Sequence, residues 1–256
     1  MLVMETRCIV GLEGKVAIVT GGSRSIGRAI ALALAKAGAD IVVAARTETE
    51  GEMPGTIHKT AGEVRALGRR ALAVKTDVSK EAEVEGMVSQ TMAEFGRIDV
   101  LVNNAGIIGP TKGVLETTTA DWDAIVDVNL RGAFLCARAV APVMAEQREG
   151  AIINISSGAA VRTGFLSIPY GVSKAGLDRL TTGLAGDLGK YNITAISLSA
   201  PWTAVDRFGT GKLPAGVQPP EFTARAVVYL LEHGPMKFSG QVVTPTQLRE
   251  KLGADI

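Results

Sequence analysis

The sequence is poor in the residues that build disulfide frameworks, metal centres and histidine-based catalysis. It has two cysteines, Cys8 and Cys136, and two histidines, His58 and His233. Two cysteines make no framework and no ligand pair, and neither histidine has a partner cluster, so no metal is expected. Neither histidine accompanies a nucleophile elbow, which argues against a Ser-His-Asp hydrolase. Aromatic residues are 4% of the chain and its basic residues are scattered at a net charge of +1. There is thus neither a basic stripe nor a stacking platform for nucleic acid or anionic lipid. No apolar run approaches the roughly 18 residues of a membrane span. Met1 to Val10 contains Glu5 and Arg7 and lacks the apolar core of a signal peptide. The expectation is a soluble, cytoplasmic protein with no nucleic-acid and no membrane partner.

What is present is apolar and regularly ordered. With 46% hydrophobic and 21% charged residues the chain can bury a large core, and 256 residues suit a single domain over 1–256. Short apolar runs at Val16–Thr20, Asp40–Ala45, Ala71–Lys75, Ile98–Val102, Ala151–Ile155, Ile193–Ser199 and Gln241–Val243 read as strands. Between them Ile26–Ala37, Thr60–Leu67, Lys80–Phe95, Asp121–Gln147, Ile168–Leu188 and Glu221–Glu232 read as helices. Strands that are apolar throughout, alternating with helices, predict an α/β fold: a doubly wound parallel (Rossmann) sheet of about seven strands covered on both faces. Residues 201–220 carry four prolines and three glycines between a strand and a helix, the composition of a long substrate loop.

Two local patterns carry the chemistry. Thr20-Gly21-Gly22-Ser23-Arg24-Ser25-Ile26-Gly27 joins the first strand to the first helix. A pyrophosphate needs unobstructed backbone N–H groups at a helix N-terminus, with Gly21 for the tight turn and Gly27 for close helix packing. Ser25 stands where a further glycine is expected. Its β-carbon either weakens the approach of the ligand or its hydroxyl caps the helix and contacts phosphate, the reading preferred here. The second strand ends Ala45-Arg46-Thr47 without a carboxylate. A 2′-hydroxyl is usually met by an acid at that point and a 2′-phosphate by arginine, so Arg24 and Arg46 favour NADP(H) over NAD(H).

Tyr170 and Lys174, one turn apart on a helix, face the same way. The cation favours phenolate, and such a phenol can move the proton that accompanies hydride transfer to or from a carbonyl. Ser157, at a strand end thirteen residues earlier, can hydrogen-bond the substrate oxygen. Asn129 lies inside a long helix, where asparagine is a poor helix former; on its own it reads as a satisfied buried amide.

Taken together, these segments resemble the short-chain dehydrogenase/reductase family from about Leu12 to Val243, in a subgroup similar to hydroxysteroid dehydrogenase-like proteins. Thr76-Asp77-Val78 and Asn103-Asn104-Ala105-Gly106 belong to the same match. The resemblance implies adenine contacts from Asp77 and Val78, and a supporting loop at Asn104, Ala105 and Gly106. It implies that Tyr170 is the general acid/base and that Lys174 binds the nicotinamide ribose. Ser157 would orient the carbonyl, and Asn129 would hold a water in a relay towards Lys174. Pro201-Trp202-Thr203-Ala204-Val205 departs from the family's Pro-Gly, with Thr203 and Val205 as candidate carboxamide contacts. The remaining cofactor candidates are Ser23, Ile26, Thr47 and Pro201.

Trp202, Phe208 and Leu213, with Phe165, Leu166 and Ile168, predict an apolar pocket for a ketone or alcohol. Arg207 and Lys212 are candidates for an acidic substrate group or for plain solvated charge. Small residues on the helices at 121–147 and 168–188, with the resemblance, imply a homotetramer or homodimer. A non-catalytic dinucleotide sensor and a methyltransferase are the competing readings; the first has no need of Asn129, Ser157, Tyr170 and Lys174, and the second none of the Tyr/Lys pair.

Overall fold

The computed structural model describes residues 11–51, 53–162, 167–203 and 216–252. Seven strands form one sheet: β1 (Val16–Thr20), β2 (Asp40–Ala45), β3 (Ala71–Lys75), β4 (Val100–Asn103), β5 (Gly150–Ser157), β6 (Ile193–Ala200) and β7 (Val242–Val243). Their order is β3-β2-β1-β4-β5-β6-β7, and every pairing is parallel. β1, β4 and nearly all of β2 and β5 are buried along their length, which is why their sequences do not alternate.

Helices cover both faces. On one, α1 (Ser25–Lys36), α2 (Ile57–Ala66), α7 (Pro220–Glu232) and α8 (Pro245–Leu252) close a core that includes Ile30, Leu34, Ile41, Val64 and Leu230. On the other, α3 (Glu81–Phe95), α5 (Gly132–Gln147) and α6 (Ile168–Leu188) close a core around Ile18, Met87, Leu101, Val140 and Ile152. Burial of each such side chain contributes about 1.5–3 kcal/mol.

Three elements differ from the sequence expectation. The helix expected at Thr60 begins at Ile57, because Thr56 caps it by accepting from the Lys59 N–H at 3.0 Å. The long helix expected over 121–147 is α4 (Thr119–Val126), a π-turn at Asp127–Arg131, and then α5. Finally, α8 is an element that the sequence pattern does not predict. Thr244 and Gln247 cap it reciprocally, at 3.1 Å from the Gln247 N–H to Thr244 Oγ1 and 3.0 Å from the Thr244 N–H to Gln247 Oε1.

The chain winds from β1 outward to β2 and β3, then returns to β4 and builds the other half. The C-terminal ends of β1 and β4 therefore diverge, and a doubly wound sheet binds its ligand in that crevice.

Candidate active site

The crevice is tied together from both strands. Thr20, ending β1, accepts through Oγ1 from the N–H groups of Asn104 (3.0 Å) and Ala105 (3.1 Å). Asn104 returns Nδ2–H bonds to the carbonyls of Thr20 (2.8 Å) and Gly21 (3.2 Å). Gly21 has φ +65°, and a Cβ there would sit 2.9 Å from the Ala105 Cα. A Cβ on Gly27 would run into the Gly21 carbonyl and the Asn104 amide. Both glycines are therefore required for the turn to close against Asn104, and the turn opens directly into α1. Ser23 is buried, its carbonyl accepting from Thr60 Oγ1 at 3.4 Å, and Ile26 packs on the core.

Ser25 does not cap α1. Arg24 holds the cap position with no side-chain capping bond, and Ser25 is the first helical residue at φ +47°. That left-handed conformation suits glycine, and a serine holds it at a cost of about 1 kcal/mol or more. The preferred sequence reading of a capping hydroxyl is thus corrected: position 25 demands backbone freedom.

Beside the turn, Arg24 Nη2 donates to Thr47 Oγ1 at 2.9 Å and to the Gly55 carbonyl at 3.1 Å. Its Nε is buried and has no partner among the described residues. A cleft of about 270 Å³ lies there, lined by Arg24, Ser25, Arg28, Gly55 and Lys59 among others. Glu48, soon after β2, is engaged by Lys75 at 2.8 Å. Arg46 is exposed, and its charge reaches Asp77. Burial alone would raise the Asp77 pKa, but bonds from the Ser79 hydroxyl and N–H, with Arg46 and Lys80, hold it below the ordinary carboxylate value. Val78 is buried against Gly132, where a Cβ would lie 2.7 Å from its Cγ2.

The second half of the site gathers on α6. Tyr170 is half-buried in its first turn, and Lys174, one turn on, is 5% exposed. Lys174 Nζ lies 5.7 Å from the Tyr170 ring centroid and donates to the Ile155 carbonyl at 2.8 Å. Burial pushes the Lys174 pKa down to about 8, with Asp178 opposing the shift. Ser157, half-buried at the end of β5, accepts through Oγ from the Ala159 N–H at 3.3 Å. The same short turn meets the start of α6, since a Cβ on Gly171 would be 3.2 Å from the Ala159 carbonyl.

Asn129 sits in the π-turn, buried to 1% exposure. Its Oδ1 accepts from the Ile107 N–H at 2.8 Å, and its Nδ2 donates to the Ile107 carbonyl (2.9 Å) and to Ser173 Oγ (3.1 Å). Ser173 Oγ donates in turn to the Tyr170 carbonyl at 2.8 Å. Asn129 Oδ1 and Lys174 Nζ both border Gly106, at 3.3 and 3.6 Å from where its Cβ would be. The bland reading of a satisfied amide is thus correct for the bonds, while the neighbours of that amide are Tyr170's own turn and Lys174. Thr20 enters the sequence reading only as the first residue of the turn, although its place at a strand end by the switch point is a usable signal; nothing in the sequence pattern marks Ser173.

Pro201 and Thr203 follow β6. Thr203 is buried, donates to the Pro201 carbonyl at 2.8 Å and pairs with Gln218, while Trp202 is 49% exposed. Val205, Arg207, Phe208, Lys212 and Leu213, like Phe165 and Leu166, lie outside the described residues. Among the described residues no group of three His, Cys, Asp or Glu side chains could hold a metal ion, and no helix is long and apolar enough to cross a membrane.

A family model described as short chain dehydrogenase matches residues 15–210. A hydroxy(phenyl)methylsuccinyl-CoA dehydrogenase subunit of Thauera aromatica is 35% identical over 91% of this chain and 95% of its own. Hydroxysteroid dehydrogenase-like protein 2 of Danio rerio is 32% identical over 94% of this chain and 59% of its own. The crystal structure of a short-chain type dehydrogenase/reductase from Mycobacterium marinum superposes with a TM-score of 0.81 at 31% identity, covering 91% of this chain and 94% of that one.

Proposed function

The chain belongs to the short-chain dehydrogenase family, NAD(P)-binding oxidoreductases of CH–OH and C=O groups, and on that premise we propose an NADP(H)-dependent reductase or dehydrogenase of an apolar ketone or secondary alcohol. The observation that carries the cofactor choice is Arg24: a guanidinium pinned by Thr47 and Gly55, with a buried Nε that has no partner among the described residues. A 2′-phosphate supplies the acceptors that such a group requires. Gly21, Ser23, Ser25, Ile26 and Gly27 hold the pyrophosphate, and Arg46 and Thr47 flank the 2′-phosphate. Asp77 and Val78 border the adenine, Asn104, Ala105 and Gly106 back the ribose, and Pro201 and Thr203 the carboxamide. When bound, the nicotinamide gives or takes the hydride.

The rest is the work of the side chains. In reduction, Tyr170 donates its phenolic proton to the carbonyl oxygen; in oxidation it takes the proton of the hydroxyl. Lys174 presents its charge to the phenol and binds ribose hydroxyls. Ser157 donates its O–H to the substrate oxygen while its lone pair is held by Ala159. Asn129 has one Oδ1 lone pair left for a water beside Lys174. Trp202 and Ile168, exposed at this end of the sheet, form the apolar rim of the substrate site. The chain works as one domain in the cytoplasm, as a homotetramer or homodimer joined through α5 and α6, where Phe134 and Val172 are exposed.

Two measurements test this reading. Fluorescence titration with NADPH and NADH should give tighter NADPH binding that Arg24→Gln abolishes; tighter NADH binding would overturn the cofactor choice. Turnover of a ketone panel should fall at least about a hundredfold in Tyr170→Phe, and near wild-type turnover would remove Tyr170 from the mechanism.

A further inference from the structure

Lys174 occupies a seat that is hostile to an ammonium ion. It is 5% exposed, and its Nζ donates to a neutral carbonyl, that of Ile155. Gly106 and Asn129 border the ammonium, and Ser156 Oγ donates to the Lys174 main-chain carbonyl at 3.5 Å. Burial draws its pKa down to about 8, so at neutral pH the cation persists with little margin.

The elements packed against α6 offer it little charge of the opposite sign. On α4, Asp121 is engaged by Lys112 and Asp123 is exposed. In the π-turn Asp127 is exposed, and Arg131 donates to the Ser79 carbonyl. On α5, Arg138 pairs with Glu81 and Glu146 is exposed. Lys190, after α6, lies over the Tyr191 ring, and Arg179 and Asp187 on α6 itself are exposed. β4, β5 and β6 turn no charged side chain towards Lys174; they contribute Asn103, Asn154, Ser156 and Ser197, all buried.

Asp178 is the exception. It lies one turn beyond Lys174 on the same face of α6, half-buried, and its Oδ1 accepts from Ser197 Oγ. Ser197 is fully buried in β6, its own N–H bonded to the Gln241 carbonyl at 3.0 Å, so the carboxylate is moored to the sheet. The same side of α6 is seated by a second polar contact, Asn154 Nδ2 to Thr181 Oγ1 at 2.8 Å. A carboxylate one helical turn along from Lys174, fixed by a buried hydroxyl, acts on the ammonium through space and opposes the effect of its desolvation.

We propose that Asp178, moored by Ser197, is a positioning residue of this site: it keeps Lys174 protonated in its dry seat and thereby keeps a cation beside Tyr170. Its importance for turnover rests on the proposed role of Lys174 and Tyr170; its effect on Lys174 does not. A carboxylate that merely pinned α6 to β6 would leave the protonation of Lys174 unchanged.

The test reads that protonation directly in the full chain without substrate. Lysines labelled with ¹³C at Cε are titrated by NMR, with the Lys174 signal identified by its loss in Lys174→Met. The wild-type midpoint is expected at about 8. Asp178→Asn should lower it by at least about half a pH unit, a threefold fall in proton affinity. Asp178→Glu should restore part of that, and Ser197→Ala should lower it by less. In turnover assays the alkaline limb of the pH profile should move to lower pH in the same order. An unmoved Lys174 midpoint in folded Asp178→Asn overturns the proposal; if that variant does not fold, Asp178→Ser and Ser197→Ala are read by the same criterion. A shifted midpoint combined with an active Tyr170→Phe would instead leave this proposal standing and sink the catalytic reading.

Discussion

Replacing Lys174 by methionine should make the protein more stable while destroying its activity, and the size of the gain follows from the buried ammonium. The folded-state pKa of Lys174 is lowered from 10.5 to about 8. Between those values the unfolded chain binds the proton and the folded chain does not, so this group's contribution to stability rises with pH across that window. Below about pH 8 the full penalty applies, and 2.5 pH units correspond to about 3 kcal/mol. Methionine fills similar space without charge but abandons the bond to the Ile155 carbonyl, a loss of about 1 kcal/mol. The expected net gain at pH 7 is thus about 2 kcal/mol, or a rise in Tm of roughly 4–8 °C for a chain of this size. By pH 10 the gain should have faded and the lost hydrogen bond should dominate. Urea unfolding of both proteins without cofactor at pH 7 and pH 10 measures this. A difference that is zero at pH 7, or equal at both pH values, would refute the reasoning.

Three further outcomes follow from the same geometry. Gly27→Ala drives a β-carbon into the Gly21 carbonyl and the Asn104 amide, neither of which can yield without opening the turn. Calorimetry should show a loss of about 3 kcal/mol, with cofactor-induced stabilisation gone; unchanged stability would mean the turn is looser than described. Ser25→Gly relieves the φ +47° conformation at the expense of chain entropy, so Tm should rise by no more than about 3 °C while NADPH binds at least as tightly. Weaker NADPH binding in that variant would show that the serine hydroxyl matters to the ligand. Cys136 is fully buried, with its thiol pushed up to about 12 by burial, so native protein at pH 8 should leave it unalkylated in peptide mapping until denaturant is added.

The sheet was legible in the sequence because a parallel strand buried on both faces has an unmistakable signature, as Ile41-Val42-Val43 shows. The strand starting at Val100 rather than Ile98 is an ordinary end effect. Helix ends read less well because their signals are side-chain bonds, not periodicity. Thr56 and the Thr244–Gln247 capping box were visible as residue types, but Gly55 before the one and a two-residue strand before the other masked them. Within the site, the glycines and the Tyr170–Lys174 spacing were legible because backbone clearance and helical pitch translate directly into sequence distance. Gly55 as a partner of Arg24, Ser173 as a partner of Asn129 and Ser197 as a partner of Asp178 were not. Those pairings join segments 19 to 44 residues apart, and only the folded chain brings them together.

The π-turn at Asp127–Arg131 makes this helix sensitive to chain length in a way that composition would not suggest. Such a turn holds one residue more than the α-helix it interrupts. Deleting a single residue there would let the whole of 119–147 run as regular α-helix, with better backbone hydrogen bonding. The flanking helices α4 and α5 would keep their relative phase, because the widened turn absorbs the extra residue locally. The sheet-facing side chains of α5, including Cys136, Val140 and Met144, would keep their places, while Asn129, which lies inside the widened turn, would lose the placement that joins it to Ile107 and Ser173. The extra residue lets one turn bulge towards the site without disturbing the helical faces on either side of it.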